Sequence, residues 1–240
     1  RGGVVGQRGG MQEAYEREQK LLPTLLQATQ KGIRIDRGTL EWHEHVYTKC
    51  LELADEKLAT LLGCSVGALG SDESLADALS NSGAVQEWVM TKTGKRSMSK
   101  DNLKILNPDV QSLMSYRAGV ATCLQTIMRP WLEKSASDNR LHPNWNQVRQ
   151  SRGGNYSKGT RTGRLSSDDP NFQNVPTEFV DARGNPLLVP EGLHPYPTLR
   201  SYCLPEQGHF WIKRDFSSQE IRILAHFEDG TLCRAYKANP

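Results

Sequence analysis

The sequence is poor in the features that mark a secreted, membrane-embedded or zinc-bound protein. Its five cysteines, Cys50, Cys64, Cys123, Cys203 and Cys233, are dispersed. None stands at CxxC spacing, and an odd, scattered set is what reduced thiols in a cytoplasmic protein look like. No apolar run reaches the roughly 18 residues of a membrane span. Residues 1–10, RGGVVGQRGG, do not read as a signal peptide; they are expected to be a disordered, glycine-rich tail or a truncation scar. A cytoplasmic protein is expected, with no membrane partner. Aromatics are few (7%), and the mean hydropathy of −0.60 points to an elongated or part-open chain. Neither charge sign dominates: the net charge of +3 permits nucleic-acid binding without requiring it. No internal repeat is present.

What remains can build a core. The 240 residues suffice for one large domain or two small ones, and 37% are hydrophobic. From Met11 to Lys31 the pattern is helical, with Tyr15, Leu22, Leu25, Leu26 and Ala28 on one broad face. Gly32 ends that helix, and GIRID reads as a short extended segment. Asp36 is a good N-cap for a second long helix, which Gly63 stops. Its apolar stripe is Leu40, Tyr47, Leu51, Ala54, Leu58, Leu61 and Leu62. A short connector between two long helices predicts an antiparallel helical hairpin. SDESLADALSNSG reads as a short capped helix, TKTGKRSMSKDNLKIL as a basic loop opening a helix at Ser99, and Val110–Leu132 as a helix closed or kinked by Pro130. Short strands and loops begin at LHPNWNQVRQ. The polar stretch Ser135–Asn139 is the expected domain boundary, and Asp181–Pro197, rich in Pro and Gly, an irregular surface loop.

Two segments carry chemistry. HFWIKRDFSSQEIRILAHF, residues 209–227, places three apolar residues before Asp215, as a buried strand ending at a site does. Ile221, Leu224 and Ala225 then follow at helical spacing. An acid at a strand end can hold Mg²⁺ through hard oxygen ligands, and the turn leaves backbone groups free to face a triphosphate. Alone, the segment reads better as a strand-end Asp and a solvated helix Glu. The upstream segment, RTGRLSSDDPNFQNVP over residues 161–176, changes that balance. Arg164 offers a planar, permanently charged donor fork. Ser166, Ser167, Asn171, Gln173 and Asn174 form a dense row of hydrogen-bonding groups. Such a surface can read minor-groove acceptors, which depend little on sequence.

Together these segments resemble the first half of the polymerase site of family A DNA polymerases, more closely the phage replicases. The resemblance spans residues 11–240. It implies an α+β fold, with a helical thumb subdomain (11–138) followed by the first part of a mixed α/β palm (139–240). It implies template-directed nucleotidyl transfer from dNTP to a primer 3′-hydroxyl, with Mg²⁺ as cofactor and primer-template DNA as partner. In DFSSQEIR, Asp215 is by resemblance one of two metal-binding aspartates, the Phe216 carbonyl helps hold the metal, and Glu220 packs under the incoming sugar, with Ser217 and Gln219 beside it. Arg164 contacts the primer-terminal base pair, while Asn171, Gln173, Asn174 and Ser166 line template or primer. Lys92, Lys95, Arg96 and Lys100 match a thumb tip that grips phosphates, although a basic cluster alone is most often a solvated face. Arg149, Arg152, Lys158 and Arg161 extend the same DNA path. Tyr116 and Arg117 also fit a family pattern, but the lysine that often follows them is replaced here by Ala121 and Thr122.

The family's second palm aspartate, in a His-Asp-Glu hairpin, and its fingers helix match no segment of the chain. Three readings stay open: a split subunit completed by a second chain, a fragment of a longer protein, or a DNA-binding module. The chain alone is expected to be inactive, with an exposed apolar face near Asp215 and a marginally stable C-terminal half.

Overall fold

The computed structural model describes residues 3–99, 103–147, 150–151, 157–158, 164–181, 184–228 and 230–238. Helices dominate, with three small sheets among the described residues. No helix among them is long and apolar enough to cross a membrane.

Helix α1 spans Gly3–Lys31. The expected tail of residues 1–10 is therefore helical from Gly3 onward. Gly32 ends the helix with φ +65°. No other residue fits there, because a Cβ would stand 2.7 Å from the His142 ring and 2.9 Å from the Leu141 carbonyl. Strand β1 (Ile33–Ile35) follows, then α2 (Arg37–Leu62). Asp36 caps α2 by accepting from Thr39 N at 3.1 Å, and Gly63, in the left-handed region, closes it.

Helix α3 (Asp72–Asn81) starts at the Ser71 cap, whose hydroxyl accepts from Ser74 N. The helix expected from Ser99 is absent among the described residues. Instead α4 (Pro108–Cys123) starts from Asn107, whose Oδ1 accepts from Asp109 N and Val110 N. A π turn (Leu124–Met128) joins it to α5 (Arg129–Lys134). Pro130 lies at the start of α5. It has no N–H to donate, and the widened turn before it accommodates that loss within one continuous helical run.

The expected hairpin of α1 on α2 does not form. Helix α2 packs chiefly on α4. Helix α1 is tied to residues 138–147 through the Thr29 hydroxyl to the Pro143 carbonyl (2.9 Å) and through Gln147 to Glu18. Four of its five expected core residues, Tyr15, Leu22, Leu26 and Ala28, are exposed. Only Leu25 is buried, too little apolar surface for the long seam a hairpin needs. On α2 the buried face runs Leu40, Tyr47, Cys50, Ala54, Leu58, Ala59 and Leu62, with Leu61 turned to solvent.

Strands β2 (Arg140–Leu141) and β7 (Cys203–Leu204) flank β1, both antiparallel. Strand β3 (Asn144–Asn146) pairs with β6 (Ser166–Asp168), and β4 (Gln150–Ser151) with β5 (Ser157–Lys158). The central strand thus joins segments on both sides of Ser135–Asn139. The compact units accordingly divide elsewhere, into Arg1–Leu204 and Pro205–Pro240.

Tyrosine hydroxyls hold the 193–202 segment on the helices. Tyr47 donates to the Pro195 carbonyl at 2.6 Å and Tyr116 to the His194 carbonyl at 2.7 Å, while Tyr202 meets His43 Nδ1 at 2.7 Å. Burial raises the pKa of all three tyrosines and lowers that of His43, where nearby His194 adds to the effect. This segment is therefore part of the core, and Leu193 and Leu199 are buried with it.

In the second unit, α6 (Gln219–Glu228) packs on α7 (Thr231–Ala238). The expected strand before Asp215 does not form. Residues 209–216 are irregular, and Phe210, Trp211 and Ile212 are 77%, 62% and 78% exposed. A strand needs a neighbour to pair with, and among the described residues of this unit no strand is present. Ala225 is buried as expected, whereas Ile221 and Leu224 are exposed.

Candidate nucleic-acid interface

The upstream motif folds as a strand and a closed loop. Strand β6 sets Ser166 opposite Asn146, Ser167 opposite Trp145 and Asp168 opposite Asn144. Beyond it the loop returns on itself. Gln173 accepts from Ser167 N at 3.0 Å through Oε1 and donates from Nε2 to the Leu165 carbonyl at 2.9 Å. Asn171 Oδ1 accepts from Gln173 N (3.0 Å) and Asn174 N (3.2 Å), an Asx-type turn. The buried Ser167 hydroxyl accepts from Phe172 N at 3.2 Å. Asn171 and Gln173, expected to face DNA, thus spend these bonds on the loop itself. Arg164 and Asn174 flank the closure and are exposed. Ser166 is half-buried on β6.

Other elements anchor this loop. Phe172 packs at a tilt against Trp131 of α5, ring centroids 5.0 Å apart. Lys134 pairs with Asp169. Arg200 donates from Nε and NH2 to the Val175 carbonyl at 3.3 and 3.0 Å. Reasoning from sequence missed these anchors. The signal for Phe172 was an aromatic residue alone in a polar motif. Arg200, far along the chain, gave none.

The basic loop is a tight hairpin. Thr91 N donates to the Lys95 carbonyl, Lys95 N to the Thr91 hydroxyl, and Met90 faces Arg96. Lys92 and Lys95 are exposed at its tip. Arg96 turns back instead. It pairs with Asp77 at 2.5 Å and lies over the Trp88 ring at 5.3 Å, joining the hairpin to α3. Arg117 behaves likewise, bonded to Asp55 and to the Leu69 carbonyl, and Tyr116 is buried. Lys100, Arg149, Arg152 and Arg161 lie outside the described residues, as does the side chain of Lys158.

The downstream motif lies in the second unit. Asp215 and Phe216 are exposed in irregular backbone ahead of α6, and Glu220 stands in its first turn, where the helix dipole favours an acid. Ser217 and Gln219 sit at the same helix start. Arg222 donates to the Ser217 carbonyl at 2.9 Å and covers the Tyr236 ring at 4.7 Å. Phe216, Gln219, Ile223 and Phe227 line an open hollow of about 620 Å³. A two-metal clamp needs several carboxylates converging on two ions. Among the described residues no group of three or more His, Cys, Asp or Glu side chains gathers. The described residues do not by themselves fit such a clamp.

The family model for DNA polymerase family A matches residues 38–240 and so covers both motifs. The chain belongs to DNA polymerase family A. It is 30% identical over 220 residues to a DNA-directed DNA polymerase of Pseudomonas phage M6 and 30% identical over 229 residues to DNA polymerase I of Caldicellulosiruptor bescii. The matches cover 89% and 92% of this chain but 30% and 24% of those proteins. In fold, this family A chain agrees with the POL domain of Pol1 from M. smegmatis in complex with DNA primer-template and dNTP. The TM-score is 0.62 at 24% identity, over 90% of this chain and 34% of that one. The partial α+β polymerase fold expected from the sequence is thereby established.

Proposed function

We propose that this chain supplies the DNA-holding portion and one metal-facing acid of a template-directed DNA polymerase. The reaction is attack of a primer 3′-hydroxyl on the α-phosphate of a dNTP, with release of pyrophosphate. One observation carries this reading: a single family match runs through both the Arg164 loop and the Asp215 segment. Residues 11–138 act as a thumb-like subdomain whose exposed hairpin tip, with Lys92 and Lys95, rests on phosphates. Residues 139–240 act as part of a palm, with Arg164 and Asn174 against the primer-terminal pair. Asp215, with the Phe216 carbonyl beside it, is the chain's contribution to holding Mg²⁺. Glu220 selects the sugar, with Ser217 and Gln219 next to it. The remaining metal ligands and the triphosphate-gripping fingers come from a second chain or a further segment, and the chain alone does not extend a primer.

The test is primer extension by the purified chain, alone and mixed with a segment carrying the family's fingers and second palm aspartate. Each arm is repeated with Asp215→Ala. Activity in the mixture, lost on that substitution, is the expected result. No activity in either arm, with DNA binding indifferent to Mg²⁺ and to the substitution, would reduce the chain to a DNA-binding module.

A further inference from the structure

Strand β6 has one edge on β3 and another edge with no strand beside it among the described residues. That second edge is where Ser167 N and the Leu165 carbonyl emerge. Both groups are met by one side chain, Gln173. A backbone N–H only donates and a carbonyl only accepts, so the amide orientation is fixed: oxygen to Ser167, nitrogen to Leu165. The pair of bonds copies what the backbone of a neighbouring strand would supply. Gln173 is thus a one-residue stand-in for a strand.

The position of this stand-in matters. Leu165 directly follows Arg164, and Asn174 directly follows Gln173. The same amide therefore fixes how far apart the two exposed, DNA-facing side chains sit. Asn171 closes the turn between them through the amides of Gln173 and Asn174. We infer that Gln173 is a positioning residue for primer-template recognition: it acts by holding Arg164 and Asn174 in register and does not act by touching DNA. This rests on the DNA-holding role proposed above and names the side chain that organises it.

The experiment uses the full chain. Hydrogen exchange of the Ser167 amide is followed without DNA, and binding to a primer-template duplex is measured for the wild type, Gln173→Ala, Arg164→Ala and the double variant. In DNA-free Gln173→Ala, the Ser167 amide should exchange faster and primer-template binding should weaken about tenfold. The double variant should lose clearly less than the sum of the two single losses, because Gln173→Ala acts partly through Arg164. Losses that add, unchanged Ser167 exchange, or unweakened binding would each overturn the inference. Gln173→Glu covers the case in which the alanine variant fails to fold. Its carboxylate accepts from Ser167 but cannot donate to Leu165 until protonated. Ser167 protection should therefore rise as pH falls through the ordinary Glu range near 4.3, and a pH-independent amide would count against the inference. Failure of the wild type to bind DNA at all would overturn the DNA-holding role together with this inference. Binding with additive losses would overturn the inference alone.

Discussion

Arg164 and Lys95 use the same charge for different ends. Arg164 is exposed directly beside a loop that its own side chains close onto the backbone. Lys95 stands at the tip of a hairpin with its ammonium in solvent. Arg164→Ala should weaken primer-template binding about tenfold and lower the penalty for a mismatched primer end. Lys95→Ala should weaken all duplexes alike and reduce the magnitude of the salt slope by about one, both read by titration over a salt series. His142 is a second residue whose surroundings fix its state. Its two ring nitrogens face acceptors, Asp138 Oδ2 at 2.8 Å and the Thr29 carbonyl at 2.7 Å. Both must carry protons to donate, so the bond to Asp138, and after it the bond to Thr29, raises the His142 pKa, and the same bond lowers that of Asp138. A raised histidine stabilises the fold fully below its ordinary pKa near 6.5 and loses that contribution as pH climbs through the raised value. The melting-temperature advantage of wild type over His142→Gln should therefore be larger at pH 6 than at pH 9. At this scale the sequence revealed side-chain chemistry but not allegiance. Asn171, Gln173 and Arg96 have the groups that DNA contacts require, yet each bonds within its own chain. A polar residue in a string of letters does not show whether its partner is a base edge or a backbone amide.

Helix ends were legible where the capping chemistry is local. Asp36, Gly63 and Ser71 punctuate the chain where a side-chain acceptor or a left-handed residue satisfies helix-terminal groups. Strands were legible where a partner is present among the described residues. GIRID formed one because Leu141 and Leu204 reach it, whereas the apolar run before Asp215 has the composition of a strand and no partner strand among the described residues of its unit. Pairings between distant elements left no local mark, and so α1 was misassigned to α2. Asp181–Pro197 read as a surface loop for the same reason: from Leu193 onward its anchors are hydroxyls on helices far away in sequence. Tyr116→Phe keeps the ring and removes one donor, leaving the His194 carbonyl short of its partner. It should cost about 1–2 kcal/mol in urea denaturation, less than Leu58→Ala, whose fully buried side chain should cost about 2–5 kcal/mol.

The two units should differ sharply in protection from hydrogen exchange. In the unit Arg1–Leu204, one cluster joins α2, α3, α4 and α5, with Trp131, Tyr47 and Tyr116 almost wholly buried. In Pro205–Pro240 only Ala225 and Cys233 are buried among the described hydrophobic residues, while Phe210, Ile212, Phe216 and Phe227 are more than 70% exposed. Amides of α2 and α4 should be the slowest to exchange, and those of α6 and α7 should exchange near the rate of an unfolded chain. Equal protection in both units would contradict this. The family, the fold class and the order of the two motifs were all readable from residues alone, because the motifs are long and contiguous. The division into units was not, since it follows from strand pairing between residues more than a hundred positions apart.

That pairing also sets a schedule. Strand β1 is made well before its second neighbour, which ends at Leu204. At about 5–20 residues per second of synthesis, the three residues of β1 wait on the order of ten to thirty seconds for that edge to be covered. Until Leu141 is made both edges of β1 are open, and from Leu141 to Leu204 one edge stays open, so the strand depends on later segments to be finished. Ribosome-bound intermediates stalled before Leu204 should be bound by chaperones and cut by protease more readily than those stalled beyond it.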